Sequence, residues 1–460
     1  LSWLIPLILS LGSAFGILIP WLRPIGFELL LASIGFLAWV LVAVRYPASF
    51  SLTRFAPMSV FLTTHTLMIV LPSLHIRMAF PEIGGAAFFP AVLGVIPLSI
   101  IGWWVVMRGV GVPRAQFSDY FEAPTDPLQG RVGVTLWLAL IGLCIGLAGL
   151  HVSVAPVNPL KALIAGASSM ELALMREASF KTLPLPGIKY LLSWLMSVLF
   201  PFAVLWAASR AILIQGWRWK LIFIPTLGAA LAYATFTLAK APAAMLIGML
   251  FIVYFAVRGV RVPVLTMFFG GLVVLMIPAV LVSMISDAGP VATMMGLMRR
   301  LFFVPAEALV FYFEAFDAEH PFLNGRSINL LARSLDDSAP FPIANYIFHI
   351  IHPDGIETGL SNASFIGTMW ANFSYIGLVS GPLFVGAFVA LSELAISYGS
   401  KDAFKVTLHA IVCLQVFFLS SRSITVAMLT GGWVPAIALA LAGGWFLRRL
   451  ASTQQASEDT

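Results

Sequence analysis

Charge is what this chain has least of. Of its 460 residues, 10% are Asp, Glu, Lys or Arg, against roughly 25% in an ordinary soluble domain. Hydrophobic residues make up 60% and the mean hydropathy is +0.97, which excludes a soluble globular protein. Cysteine is nearly missing. Cys144 and Cys413 both stand in apolar runs, so two buried thiols are expected and no disulfide framework. The strict polar–apolar alternation of a membrane β-barrel is absent. The net charge of +6 is scattered with no basic run, so no nucleic-acid partner is expected. There is no Walker-type loop, no GxGxxG opening a helix, no Cys-rich motif and no nucleophile elbow, so neither ATP use nor a redox cofactor is expected. No internal repeat and no inverted pair of Gly/Pro-broken helices is present, which disfavours the common transporter architectures.

What is there is a series of apolar runs of membrane-crossing length. They lie near 2–20, 25–44, 57–72, 85–107, 132–150, 190–213, 221–238, 242–257, 263–285, 364–398, 404–420 and 429–447. The fold class expected is an all-α polytopic integral membrane protein with about twelve transmembrane helices. The first run lacks a basic n-region and a cleavage site, so it reads as a membrane helix and not a signal peptide. The third is short and ends near Pro72, so a re-entrant segment is the alternative there. Residues 1–285 then hold nine spans and a medium loop at 151–189. Residues 286–363 form one large loop, 364–447 the last three spans, and 448–460 a polar tail expected to be disordered.

Short-loop Lys and Arg set the orientation. With Arg448 and Arg449 inside, the inner loops also collect Arg45, Arg54, Arg108, Arg114, Arg131, Arg210, Arg218, Lys220, Arg258, Arg261, Lys401 and Lys405. The outer short loops carry only Arg23, Arg77, Lys240 and Arg422. The two long loops therefore face outward, into a periplasm or its equivalent.

The large loop is where chemistry is expected, because lipid-facing helices host charge poorly. It holds eight of the 20 acidic residues, Asp287 aside, and three of the seven histidines. Lys240 and Arg422 occupy outer turns with almost no loop and no nearby carboxylate. Each is either a snorkelling helix-end cation or a contact for an anionic ligand such as a diphosphate. Arg299 and Arg300 precede a helix-like run, Ala306 to Phe316. They either pair with Glu307, Glu314 or Asp317 to order the loop, or one of them binds phosphate or sugar. Arg326 resembles them, while Arg333 reads as a solvated charge. In the stretch Ile351–Gly359, Pro353-Asp354-Gly355 is a turn signal, and His352 and Glu357 are left as candidates for a general base. Asp336-Asp337 has no further ligand at useful spacing, so no metal is expected. His65, His75, His151 and His409 read as packing histidines. Gly142 and Gly146 form a GxxxG that points to close helix packing.

After Thr358-Gly359-Leu360-Ser361-Asn362-Ala363-Ser364 comes Phe365-Ile366-Gly367-Thr368-Met369-Trp370-Ala371-Asn372-Phe373-Ser374-Tyr375-Ile376-Gly377. This run resembles the signature of Wzy-type polymerases, the oligosaccharide repeat-unit polymerases of O-antigen, common-antigen and exopolysaccharide pathways. In that family a large outer loop leads into a helix with a pattern like F-x-G-x-x-x-x-N-F-x-x-x-G. The order of parts agrees over about 220–447, with Lys240, Arg299 or Arg300, and Arg422 at the family's basic positions. Lys240 stands where the family usually has Arg, and its turn lacks the usual Gly or Ser.

The resemblance implies a fold similar to the GT-C type glycosyltransferases, in a bacterial inner membrane, with the active site facing the periplasm. The substrate it implies is an undecaprenyl-diphosphate-linked oligosaccharide, polymerised with no cofactor and no metal. Lys240, Arg299 or Arg300, Arg326, Arg422 and Asn362 would bind diphosphate or glycan, and Glu357 or His352 would face the acceptor hydroxyl. A chain-length regulator and a flippase are the partners the family suggests, beside membrane lipid. An O-antigen ligase of the same broad fold and a lipid-linked sugar flippase remain as alternatives.

Overall fold

The computed structural model describes residues 26–458 except 81–82, 114, 127–130, 155–160, 163–164, 167–170, 172–174, 176–187, 215–216, 237–239, 284–288, 317–319, 337–338 and 356–358. The described residues contain helices and no named strand, only two isolated bridges. This is what long apolar runs dictate, since in hydrocarbon each backbone polar group must be satisfied inside its own segment. Among the described residues six helices are long and apolar enough to cross a membrane: Pro57–Ala79, Gly85–Gly109, Gly133–Val154, Tyr190–Leu213, Phe365–Ser397 and Val426–Phe446. Shorter apolar helices cover Gly35–Arg45, Pro242–Arg258, Val264–Met276 and Ala403–Phe418. The chain is a multi-pass helical membrane protein. The expected span at 2–20 lies outside the described residues, as does most of the loop at 151–189.

In chain order the helices are α1 (Gly26–Arg45), α2 (Pro57–Ala79), α3 (Gly85–Gly109), α4 (Gln116–Glu122) and α5 (Arg131–Val154). Next come α6 (Tyr190–Leu213), α7 (Arg218–Phe236), α8 (Lys240–Arg258) and α9 (Val264–Ser283). Then follow α10 (Pro290–Phe302), α11 (Val304–Ala315), α12 (Asn329–Asp336) and α13 (Ile343–Ile351), and last α14 (Phe365–Ser397), α15 (Ala403–Phe418) and α16 (Trp433–Glu458).

Three expectations change. The third run is no re-entrant stub. It continues through Pro72 to Ala79, with a π-helical turn at Thr66–Val70 that takes up the extra residue and leaves Pro72 near the start of a fresh helical segment. The expected large loop is largely helical, α10 to α13, because its apolar residues recur at helical spacing, as Ile343 and Ile347 do on the buried side of α13. The tail is helical through Glu458, since Leu450 to Glu458 contains no Gly or Pro to stop α16.

The chain forms two compact units. The first gathers the described residues up to Phe117 with Met298–Glu393 and Val416–Ala427. In it α3 and α14 approach at two glycines: a methyl on Gly102 would overlap the backbone of Leu383, and one on Gly386 that of Ser99. Near this crossing Glu393 is fully buried. It accepts from the Met58 backbone N–H at 3.2 Å and the Trp103 indole at 3.0 Å, with Ser49 as a further donor. The acid thus caps the amino end of α2 from a distant stretch of chain. Helix α14 itself is broken at Ser374 (φ 54°, ψ −143°), a conformation that costs a non-glycine residue roughly 1–3 kcal/mol.

The second unit comprises Ser118–Leu297, Leu394–Gln415 and Met428–Thr460. Several cations assigned to inner loops are buried here. Arg210 (1% exposed) lies within α6 over the rings of Trp219 and Trp206, at 4.5 and 5.5 Å. Lys401, between α14 and α15, donates to the carbonyls of Phe121 at 2.7 Å and Ala123 at 3.1 Å. Burial lowers its pKa to about 8. Ahead of α16 the chain breaks at Gly431-Gly432, with Gly432 at φ 89°. The carbonyls freed there are taken by side chains: Leu429 by Trp194 Nε1 (2.7 Å), Thr430 by Ser193 Oγ (2.9 Å) and Gly431 by Gln415 Nε2 (2.7 Å).

Cys144 and Cys413 are buried, and neither is in a disulfide. His65, His151 and His409 are packing histidines, with His65 Nε2 against Val92 O at 3.0 Å and His151 Nδ1 against the Tyr233 hydroxyl at 2.6 Å. Gly142 and Gly146 mark no close approach, for a methyl on either meets nothing within 4 Å. Gly102 and Gly386 do bring two helices together, and no short motif announces them.

Candidate functional site

The first unit builds one frame around the start of α14. Tyr312 on α11 is buried, which holds its phenol protonated, and it donates to Ser361 O at 3.3 Å. Ser361 N donates to Ala344 O (2.8 Å), and Asn345 Nδ2 to Gly359 O (2.9 Å), so α13 fixes the 359–361 stretch. Phe365 N then donates to Leu419 O at 3.1 Å, and Ser364 Oγ reaches the same carbonyl at 3.5 Å. Ser420 Oγ donates to Phe417 O at 2.7 Å and meets Met68 Sδ, in the π turn of α2, at 3.2 Å. Helices α11 and α13 thus hold the stretch that leads into α14, while α2 and the start of α14 meet the turn after α15.

Arg422 is on that turn. Its guanidinium lies 4.1 Å from the centre of the Phe418 ring, half-buried, and among the described residues no carboxylate pairs with it. Burial without a counter-charge lowers its pKa. Arg422 stands three residues after Leu419, whose carbonyl takes the Phe365 N–H, and a half-buried cation without a counter-charge favours an anion at its guanidinium.

The residues singled out in the sequence divide as follows. Asn362 is exposed on the pinned 359–364 stretch. His352 is exposed at the carboxyl end of α13, its ring 5.0 Å from Phe348. The backbone N–H of Gly355 bonds His352 O at 2.9 Å, so Asp354 makes the turn expected of it. Arg299 is spoken for: its Nη2 meets both Glu307 carboxylate oxygens, at 3.2 and 3.1 Å, joining α10 to α11 on the surface. Its neighbour Arg300 is exposed and has no ion pair among the described residues. Arg326 is exposed on a turn whose backbone bonds Leu323 and Phe341. Lys240 opens α8 in the second unit, and Glu357 lies outside the described residues. No group of three or more His, Cys, Asp or Glu stands together among the described residues.

The signature-like run has a packing role that the sequence alone did not reveal. Phe365 is fully buried, and Gly367 leaves room for the rings of α11, where a methyl would stand 2.9 Å from Tyr312. Asn372 is 1% exposed and holds the 323–328 turn: Nδ2 donates to Ser327 Oγ (2.6 Å) and Thr368 O (2.7 Å), and Oδ1 accepts from Ser327 N (3.3 Å). Gly377 permits the bend at Ser374, since a methyl there would overlap the Met369 carbonyl. The run docks the helical loop onto α14. Tyr312, Ser327 and Ser361 escaped sequence reasoning because ordinary hydroxyl residues in a loop carry no pattern.

Comparison of the chain with protein-family models, with characterised proteins and with solved structures finds no match.

Proposed function

We propose that this protein is a membrane glycosyltransferase of the Wzy polymerase type, with about twelve spans and a fold akin to the GT-C enzymes. It joins undecaprenyl-diphosphate-linked oligosaccharide units into a cell-surface polysaccharide at the periplasmic face of a bacterial inner membrane. The observation that carries this reading is Arg422, a half-buried cation without a carboxylate, on a turn bonded to the start of the helix that bears the polymerase-like run.

In the proposed step the acceptor sugar hydroxyl attacks the donor's anomeric carbon. The new C–O bond forms as the bond from that carbon to the diphosphate breaks, and the lipid diphosphate leaves with the electron pair. The hydroxyl proton passes to His352 or Glu357 as general base. Arg422 and Arg300, with Arg326 and Asn362 as further contacts, stabilise the leaving diphosphate and the glycan. Positioned cations supply this stabilisation without a divalent ion. Arg299 is the weaker candidate of the arginine pair, because Glu307 already neutralises it.

The test uses purified full-length protein, a lipid-diphosphate-linked repeat unit and EDTA, with products resolved as a gel ladder. The expected result is a ladder that persists in EDTA. It falls at least tenfold in Arg422→Ala and Arg300→Ala, and less than twofold in Arg299→Ala. Transfer only to an added lipid A core acceptor would assign a ligase instead. No transfer by folded protein to either acceptor would refute the glycosyltransferase reading and favour a transporter.

A further inference from the structure

In the first unit four rings come together where α11 ends and α13 begins. Phe316, fully buried, closes α11. His320, Phe341 and Tyr346 form a triangle beside it, with ring centres 5.2 to 5.6 Å apart and planes inclined at 54° to 64°. Phe316 touches two of the three, His320 at 5.3 Å and Tyr346 at 6.0 Å. Backbone bonds fix each member: His320 N donates to Ala315 O at 2.9 Å, Phe341 N to Arg326 O at 2.8 Å, and Tyr346 N to Pro342 O at 2.9 Å. His320 and Phe341 each precede a proline, which biases their backbones to extended conformations. Rings held this way have little order left to lose when a ligand binds.

A packing core hides its rings and uses up their polar atoms. Phe316 is hidden, but His320, Phe341 and Tyr346 are only half-buried. His320 Nδ1 donates to Pro321 O at 2.7 Å, which leaves Nε2 as the lone-pair nitrogen of the neutral ring. Neither Nε2 nor the Tyr346 hydroxyl has a hydrogen-bond partner among the described residues. An acceptor and a hydroxyl thus stand at the rim of an aromatic surface with no protein group to bond. A pyranose matches both parts, since its C–H face lies on the rings while its hydroxyls reach the polar tips. A lipid chain would strand the tips, and a bare phosphate would gain nothing from the rings. Tyr346 also precedes His352 by six residues, about 9 Å along α13 at the helical rise, so one oligosaccharide can span the two.

We propose that His320, Phe341 and Tyr346 form a subsite for a pyranose of the acceptor glycan, set back from the sugar whose hydroxyl reacts. The sugar stacks on the rings, donates a hydroxyl to His320 Nε2 and exchanges a hydrogen bond with the Tyr346 hydroxyl. The choice of occupant rests on the glycosyltransferase reading. These three residues take no part in the transfer step proposed above, so they set which glycan is accepted and not how fast it reacts.

The test is saturation-transfer NMR on purified full-length protein with the methyl β-pyranosides of glucose, galactose and N-acetylglucosamine, and glycerol as the control. Saturation is expected on at least one pyranoside, strongest at the C–H protons of one ring face, and none on glycerol. Phe341→Leu is expected to cut the signal at least fivefold. Tyr346→Phe, which breaks no bond within the described protein and so tests the subsite even if the leucine variant fails to fold, cuts it at least twofold. In the ladder assay both variants raise the KM for the lipid-linked repeat unit at least threefold, with kcat within twofold of wild type. Saturation absent for all three pyranosides, or undiminished in both variants, would overturn the proposal whatever the ladder shows. A loss confined to kcat would overturn it too. Pyranoside binding that both variants weaken, in a protein that forms no ladder, would support the sugar subsite while refuting the polymerase reading, so the two failures are told apart.

Discussion

Replacing Asn372 by alanine tests how the helical loop is held on α14. The side chain makes two bonds to Ser327, at 2.6 and 3.3 Å, and one to Thr368 O at 2.7 Å. The Thr368 bond lies within α14, so its loss costs the loop nothing. The two Ser327 bonds tie the turn that also sets Leu323 N on Ala371 O and Phe341 N on Arg326 O. At a net of about 0.5–1.5 kcal/mol for each bond, plus the cost of a half-buried Ser327 N–H left unsatisfied, Asn372→Ala loses roughly 2–3 kcal/mol. That energy opposes opening of the 321–342 stretch more than it opposes global unfolding. Since 1.4 kcal/mol is tenfold, opening becomes about 30- to 150-fold more frequent. Hydrogen exchange by mass spectrometry in detergent reads this directly, as faster exchange of peptides covering 321–342 with little change in α3 or α15. Asn372→Asp keeps an acceptor for Ser327 N–H and loses the donors, so it falls between wild type and alanine. Unchanged exchange in Asn372→Ala would refute the reasoning. If polymer formation vanished at the same time, Asn372 would be a substrate contact and not a clamp.

The two kinds of glycine in this chain should behave in opposite ways. Gly386→Leu drives a side chain into the Ser99 backbone and is expected to cost well over 3 kcal/mol, giving aggregated protein in size-exclusion chromatography, whereas Gly142→Leu, with open space around it, gives a monodisperse peak. Equal profiles for the two would show that the α3–α14 crossing is looser than described. Lys401 gives a pH effect: burial brings its folded pKa to about 8 from an ordinary 10.5, so the unfolded chain binds more protons between them. Stability from this group therefore rises as pH passes from about 8 to about 10.5, by about 3 kcal/mol at most. Melting temperatures from pH 7.5 to 9.5 should climb more steeply in wild type than in Lys401→Met, and parallel slopes would refute the assignment.

The membrane architecture was legible because each apolar run carries its own statement of length and solvent. Among the described residues six of the expected runs coincide with helices long and apolar enough to cross a membrane and four more with shorter apolar helices, while the first run falls outside them. What could not be read was pairing across long sequence separations. Nothing near Glu393 in the sequence marks it as bonded, and only folding brings Met58 and Trp103 to it. Lys401 and Arg210 counted as loop charges, yet backbone carbonyls and indole faces receive them inside the fold. In the candidate site the sequence marked both Arg299 and Arg422 without ranking them. The ranking comes from Glu307, eight residues after Arg299, whose helix turns it back onto the guanidinium. Arg422 has no such neighbour among the described residues, and that difference lies in side-chain direction, which spacing does not encode.

The interleaving of the first unit sets a timetable for synthesis. Its early helices are complete by residue 117, but the rest of its core begins at residue 298. At about 5–20 residues per second, the intervening stretch takes on the order of 10–40 s to make. Through that interval Trp103 and the amino end of α2 have no Glu393 to bond, and Gly102 has no α14 to meet. The nascent first helices therefore wait in the bilayer with a glycine-lined face and unclaimed donors. Any factor that shields intramembrane polar groups during insertion would act on this protein in that window, before α14 emerges.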